Sequence, residues 1–154
     1  MSGYRFRQME DEEATQISGW HYESPYDFYN ATSDQEDLQE LLDPKRRKDT
    51  YFSVFDEGGV LVGFFQFERD DRTVDVGLGM RPDLTGKGLW VDYLLAGLEF
   101  ARRRYSPERF TLSVATFNER AILVYERAGF RRNTVYKHNT NGGDYLFLSM
   151  VREA

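Results

Sequence analysis

Three stretches carry residue types at spacings that could do chemistry, and all lie between Val74 and Phe130. The first is Met80-Arg81-Pro82-Asp83-Leu84-Thr85-Gly86-Lys87-Gly88-Leu89-Trp90, where two glycines precede an apolar-periodic run. A strand-to-helix junction of this kind offers free backbone N–H groups and a positive dipole end, and its glycines let the backbone come close. It is suited to a phosphate group. It is neither a Rossmann Gly-x-Gly-x-x-Gly nor a P-loop, because Lys87 is followed by Gly88 and no glycine stands at position 81. The second stretch, Val74-Asp75-Val76-Gly77-Leu78-Gly79-Met80, has two glycines inside a strand pattern. That implies a bulge, a packing bend or a close approach by a ligand. The third runs from Ser113 to Phe130 and carries Asn118 and Tyr125. By residue type alone Tyr125 is a core tyrosine of an amphipathic helix, and Asp75 is the solvent-facing residue of a strand.

These stretches need elements to hold them. Tyr4 and Phe6 predict a short first strand, followed by a helix over Asp11–Ser18. Ser33-Asp34-Gln35-Glu36 fits a capping box with Ser33 as N-cap, opening a helix that runs to about Leu42 before Pro44. Between these helices, Trp20 to Tyr29 is dense in aromatic residues, which fits either a lid over its own core or a ligand contact. Tyr51–Asp56 and Val60–Glu68, joined by Glu57-Gly58-Gly59, predict a hairpin, and Thr73–Met80 extends it to an antiparallel meander. Val91, Leu94, Leu95, Leu98 and Ala101 form one apolar stripe on a helix ending near Tyr105. Phe110–Val114 reads as a strand, and Asn118–Ala128 as a helix stopped by Gly129. Phe130–Lys137 and Tyr145–Val151 are strands flanking the turn Asn139–Gly143. The order is β α α β β β α β α β β, a single mixed α/β domain.

Composition narrows the chemistry. The 154 residues include no cysteine, which removes disulfides, thiolate metal sites and cysteine nucleophiles. His21 and His138 are far apart and belong to no ligand-spaced motif, so no metal is expected. No stretch approaches the ~20 apolar residues of a membrane span, and the first residues lack a signal-peptide core, so a cytoplasmic protein is expected. The net charge of −6 resides in residues 1–50, which hold 12 Asp/Glu against 6 Lys/Arg. Such an acidic first third argues against nucleic acid as a partner and suits a cation. Lys45-Arg46-Arg47-Lys48 and Arg102-Arg103-Arg104 read as solvated faces or helix C-terminal charges.

Taken together, Asn118, Ala121, Tyr125 and Gly129-Phe130 match an Asn-x-x-Ala-x-x-x-Tyr-x-x-x-Gly-Phe signature. In this the chain resembles the GNAT superfamily of acetyl-CoA-dependent N-acetyltransferases. The resemblance covers the whole element order, and its specific part spans roughly Asp75–Phe130. It implies a GNAT-like α/β fold, mixed α+β, with a mostly antiparallel sheet of about seven strands and about four helices. In the family a Gln/Arg-x-x-Gly-x-Gly/Ala loop grips the CoA pyrophosphate. Here Gly88 conforms, while Thr85 and Trp90 depart from it. Leu78, Met80, Arg81, Thr85, Gly86, Lys87, Gly88, Leu89, Trp90, Asn118, Ala121 and Tyr125 are the implied cofactor-binding residues.

The implied reaction is direct transfer, in which a neutral amine attacks the thioester carbonyl and CoA thiolate leaves. Main-chain N–H groups around Met80 would stabilise the oxyanion. Tyr125 would protonate the leaving thiolate, and Asp75, where many relatives carry Glu, would accept the amine proton directly or through water. In the family the acceptor groove is bordered by the first two helices and their connection. Trp20, Tyr22, Tyr26 and Tyr29 are therefore the expected contacts of a small cationic or peptidic amine. A homodimer would use the late strands. The alternatives are a non-catalytic acyl-CoA-binding sensor and an interaction domain that has lost CoA.

Overall fold

Along β2 (Tyr51–Phe55) and β3 (Leu61–Asp70), neighbouring side chains enter two different cores. Phe52, Val54, Phe65 and Phe67 join the larger one, whereas Tyr51, Leu61, Phe55 and Phe64 join the smaller. Apart from one slip at the bulge where Val54 pairs with Gly63 and Phe55 with Leu61, the period is two, as a sheet covered on both faces demands. The computed structural model describes residues 3–154. Its seven strands lie in the order β1-β2-β3-β4-β5-β7-β6, with β1 spanning Arg5–Gln8, β4 Thr73–Met80, β5 Arg109–Ala115, β6 Arg131–Thr140 and β7 Gly143–Glu153. Every adjacent pair is antiparallel except β4 and β5.

Helices α4 (Trp90–Tyr105) and α5 (Glu119–Arg127) cover the larger core. Helices α1 (Asp11–Ser18) and α2 (Gln35–Leu42) cover the smaller one. A short α3 (Pro44–Arg47) brings the number of α-helices to five, one more than the sequence pattern predicts. Pro44 ends α2 as expected but also starts α3, where its missing N–H is no loss. None of the helices is long and apolar enough to cross a membrane among the described residues.

Three details differ from the sequence reading. The cap of α2 is Asp34, whose carboxylate accepts the Asp37 amide at 3.0 Å; Ser33 instead donates to the Asp27 carbonyl. Arg47 is no surface charge, because it is buried with its guanidinium on the Leu41 carbonyl and Asp11. Finally, the buried stripe of α4 runs through Tyr93, Leu94, Gly97, Leu98 and Ala101, leaving Leu95 exposed. Gly97 sets this phase, since a Cβ there would lie 2.2 Å from the Phe65 ring.

The feature that matters for function is the parallel pair. Strands β4 and β5 are in register only at Thr73–Arg109, Val74–Phe110 and Asp75–Thr111, and beyond that point they diverge. β4 stays paired to β3 through Met80, and β5 stays paired to β7 through Ala115. A wedge therefore opens in the middle of an otherwise continuous sheet.

Candidate active site

The wedge is a cavity of about 310 Å³. Val76, Gly77, Leu78 and Gly79 form one wall, and Leu112, Ser113 and Val114 form the facing wall. On the α4/α5 face it is bounded by Thr85, Trp90, Asn118, Ala121, Val124 and Tyr125. On the opposite face it is bounded by Phe64 and Gln66 of β3 and by Tyr22, Tyr26 and Tyr29 of the α1–α2 connection. The cavity thus passes through the sheet. Two molecules could enter from opposite faces and meet at its waist.

Strand geometry supplies polar groups at that waist. Arg81 donates its N–H to the Val62 carbonyl at 2.8 Å, so odd-numbered residues of β4 turn their backbone groups towards β3. Leu78 and Met80 then turn theirs into the wedge, where β5 no longer pairs with them. Tyr22 donates its hydroxyl to the Met80 carbonyl at 2.7 Å, which confirms that direction. The Met80 N–H shares it. Tyr93 fixes this segment from behind, donating its buried hydroxyl to the Gly79 carbonyl at 2.8 Å with the Phe64 carbonyl at 3.2 Å. Gly79 is required by packing, because a Cβ there would sit 2.3 Å from the Phe64 ring.

At the cavity's α4 end, Gly86 and Gly88 both have φ near +75°, and no atom lies within 4 Å of where their Cβ atoms would be. The turn is therefore open as well as left-handed at both glycines. Leu89 occupies the N-cap of α4 and makes no side-chain cap, leaving the first N–H groups of a 16-residue helix to a ligand. Gly86, Lys87, Gly88 and Leu89 lie exposed beside Thr85 and Trp90, so they can meet phosphates outside the sheet. The wedge and this turn together fit an elongated thioester carrier such as acetyl-CoA. Arg81 is committed elsewhere: its guanidinium forms a fork with the Asp83 carboxylate at 2.6 and 3.1 Å and also donates to the Leu61 carbonyl. The Thr85 hydroxyl is turned back onto the Pro82 carbonyl at 2.7 Å.

Asn118 caps α5 through Oδ1, which accepts the Ala121 amide at 3.1 Å. Its Nδ2 donates to the Tyr29 hydroxyl, also at 3.1 Å. Tyr125 lies one turn beyond Ala121 along α5, lining the cavity. Burial, reinforced by the nearby Tyr29, holds the Tyr125 phenol well above the ordinary phenol value, so it keeps its proton at neutral pH. Burial likewise pushes Tyr22 up to about 12.

Asp75 stands at the vertex where β4 and β5 part, one residue before the cavity wall. Its carboxylate accepts the Thr111 hydroxyl at 2.7 Å, and burial raises its pKa against the lowering effect of that bond. Gly77 shares its face of the strand. A Cβ at Gly77 would meet Gln66 at 3.4 Å, so Gln66 packs beside that glycine, and Asp75 itself does not line the cavity.

Of the four aromatics expected at the acceptor side, Tyr22, Tyr26 and Tyr29 line the cavity and Trp20 does not. Trp20 packs on the smaller core. The Tyr26 ring already carries a cation, the Arg120 guanidinium 4.1 Å from its centroid. Residue type did not single out Gln66 or Arg120. Gln66 reaches the site because β3 lies beside β4, and its amide bridges Glu40 and Glu68, each at 2.9 Å.

A family model described as an acetyltransferase (GNAT) domain matches residues 4–131. A mycothiol acetyltransferase of Propionibacterium freudenreichii subsp. shermanii is 40% identical over 80 residues, which cover 49% of this chain and 25% of that protein. The chain thus matches a quarter of the length of that curated relative. Among solved structures, a spermidine N-acetyltransferase chimera from Vibrio cholerae and hSSAT superposes with a TM-score of 0.80 at 20% identity, covering 99% of this chain and 96% of that one. The Vibrio cholerae spermidine N-acetyltransferase in complex with CoA and spermine gives 0.76 at 19% identity, over 98% and 95% of the two chains. A GNAT-family acetyltransferase from Bacillus anthracis gives 0.77 at 17% identity, over 99% and 95%. At such identities the structures share the fold.

Proposed function

Because this chain belongs to the GNAT acetyltransferase family, we propose that it moves an acetyl group from acetyl-CoA directly to a primary amine of a small cationic molecule or a peptide. The observation that carries the reading is the wedge between β4 and β5, open to both faces and lined by backbone donors on one strand. Acetyl-CoA supplies the acyl thioester. Gly86, Lys87, Gly88 and the N-terminus of α4 hold its phosphates, and Leu78 and Met80 offer the backbone groups along which its arm lies.

The Met80 N–H donates to the carbonyl oxygen as negative charge develops there. Asp75, at the vertex where β4 and β5 part, removes the ammonium proton through water, freeing the lone pair that forms the C–N bond. As the C–S bond breaks, Tyr125 gives its proton to the sulfur and recovers one from solvent. A phenol whose pKa lies above that of a thiol (about 8.5) is a weak acid for this task, and it works only because the leaving sulfur is held beside it.

For the acceptor, two observations favour a cation. Glu40 and Glu68 flank Gln66 on the face opposite the α4 turn. Asp37 adds to them, its carboxyl pushed up to about 6 by burial and by neighbouring Asp34, Glu40 and Glu36. Spermidine N-acetyltransferases of the same fold accept such a substrate, as their names state. A second reading, an acyl-CoA sensor without turnover, is favoured by Thr85 being turned onto Pro82 and by the bulk of Trp90 at the cavity wall.

Thiol release from acetyl-CoA against a panel of polyamines, amino-acid amines, aminoglycosides and peptide N-termini separates the two. The enzyme reading expects release with a cationic amine and a product 42 Da heavier, the mass of one acetyl group replacing hydrogen (about 42 by covalent arithmetic). Tight binding of acetyl-CoA with no release on any amine would establish the sensor.

A further inference from the structure

Asp34 lies outside the wedge, yet its two carboxylate oxygens have separate partners. Oδ1 accepts the Asp37 amide and caps α2. Oδ2 accepts both the Thr140 hydroxyl and the Asn141 amide, each at 2.9 Å, at the tip of the β6–β7 hairpin. Asn141 then donates its side-chain amide to the Phe28 carbonyl at 2.7 Å. The Phe28 ring meets Tyr145, Phe117 and Phe147 with centroids 4.9, 5.4 and 6.1 Å away.

The segment 20–34 is thus held at both ends of the cavity. Asp34 and Phe28 fasten it to the hairpin, while Tyr22 and Tyr29 fasten it across the wedge to Met80 and Asn118. Asp34 joins a helix start, this segment and the hairpin through one side chain. The Asn141 and Asp37 amides hold its carboxyl below the usual carboxylate range, so the clasp is charged throughout the neutral range.

We propose that Asp34 is a positioning residue for the acceptor: by clasping the β6–β7 turn it seats the aromatic segment over the wedge and so sets how the amine is held. This rests on the acetyltransfer reading above. The Asp34 carboxylate touches neither substrate; it acts through Tyr22 and Tyr29. Charge-assisted bonds to a backbone amide and a hydroxyl are strong enough for this, and they join parts more than a hundred residues apart in sequence.

Asp34→Asn separates the clasp from the cap. Asparagine is as good an N-cap as aspartate, but one carboxylate oxygen becomes an NH₂ group that cannot accept from the Asn141 N–H. Thr140→Val weakens the clasp from the hairpin side without touching α2.

In both variants the acceptor KM is expected to rise roughly tenfold, the scale of losing one charged hydrogen bond. The acetyl-CoA KM and kcat should stay within about twofold, and helix content should be unchanged. Amide exchange should quicken over residues 20–34, and the double variant should be no worse than either single one. Exchange unaltered in both variants would overturn the clasp. Faster exchange with an unaltered acceptor KM would overturn the positioning role, as would both KM values rising together. A wild-type chain that acetylates no amine overturns the functional reading instead, and the exchange measurement still judges the clasp by itself.

Discussion

At the level of single residues, the proposed transfer moves two protons. Tyr125 faces the cavity with its phenol held in the acid form by burial. Tyr125→Phe should therefore lower kcat by roughly 10²-fold, the lower end for a positioned general acid, with the acetyl-CoA KM nearly unchanged. Because the pKa is raised, the protonated form persists to higher pH, and the alkaline fall in wild-type kcat should begin above the ordinary phenol value of about 10. Asp75 has the opposite requirement. It must be ionised to accept a proton, and burial raises its pKa, so kcat/KM should fall as pH drops through a value above the usual carboxylate range. Asp75→Asn should cost roughly tenfold at neutral pH and leave no such carboxylate limb, which a pH–rate profile would read. Tyr125 stands out in the sequence because its neighbours at fixed spacing give it a context, and it lines the cavity. Trp20 has no such context, since aromatic density marks a segment without saying which ring turns to the core and which to the cavity.

At the scale of elements, the helix and strand pattern was largely visible in periodicity, and the phase of α4 was not. An apolar stripe at Val91, Leu94, Leu95 and Leu98 fits helical spacing equally well. The choice between stripes was made by Gly97, which lets the helix descend onto Phe65. Alanine is worth about 0.5–1 kcal/mol over glycine in a free helix interior. Here Gly97→Ala should instead destabilise the fold by about 1–3 kcal/mol, because the new methyl would overlap a fully buried ring. Denaturant unfolding would show the sign directly. The capping pattern misread Ser33 for Asp34 by one residue, since both types cap well and the decision came from the hairpin tip that Asp34 also holds. The wedge itself had no local signature. Where β4 and β5 part depends on pairing between strands 36 residues apart, with Asp75 and Thr111 as the last partners.

At the scale of the molecule, the uneven charge of the sequence acquires a place. The acidic first third supplies Glu40, which accepts from Gln66, and Asp37 near Glu40, while the open Gly86–Gly88 turn lies across the sheet. Opposite charge preferences on opposite faces suit a cationic acceptor and an anionic donor arriving separately. Raising ionic strength from about 0.05 to 0.5 M should therefore raise the acceptor KM severalfold by screening. Lowering pH past about 6 should do the same as Asp37 takes up a proton. With no cysteine to carry an acetyl group and a cavity open to both faces, the proposed transfer has both substrates bound together when the bond forms. Initial velocities with acetyl-CoA and the amine both varied test it most directly. Intersecting double-reciprocal lines are expected; parallel lines, the mark of an acetylated enzyme, would contradict the account.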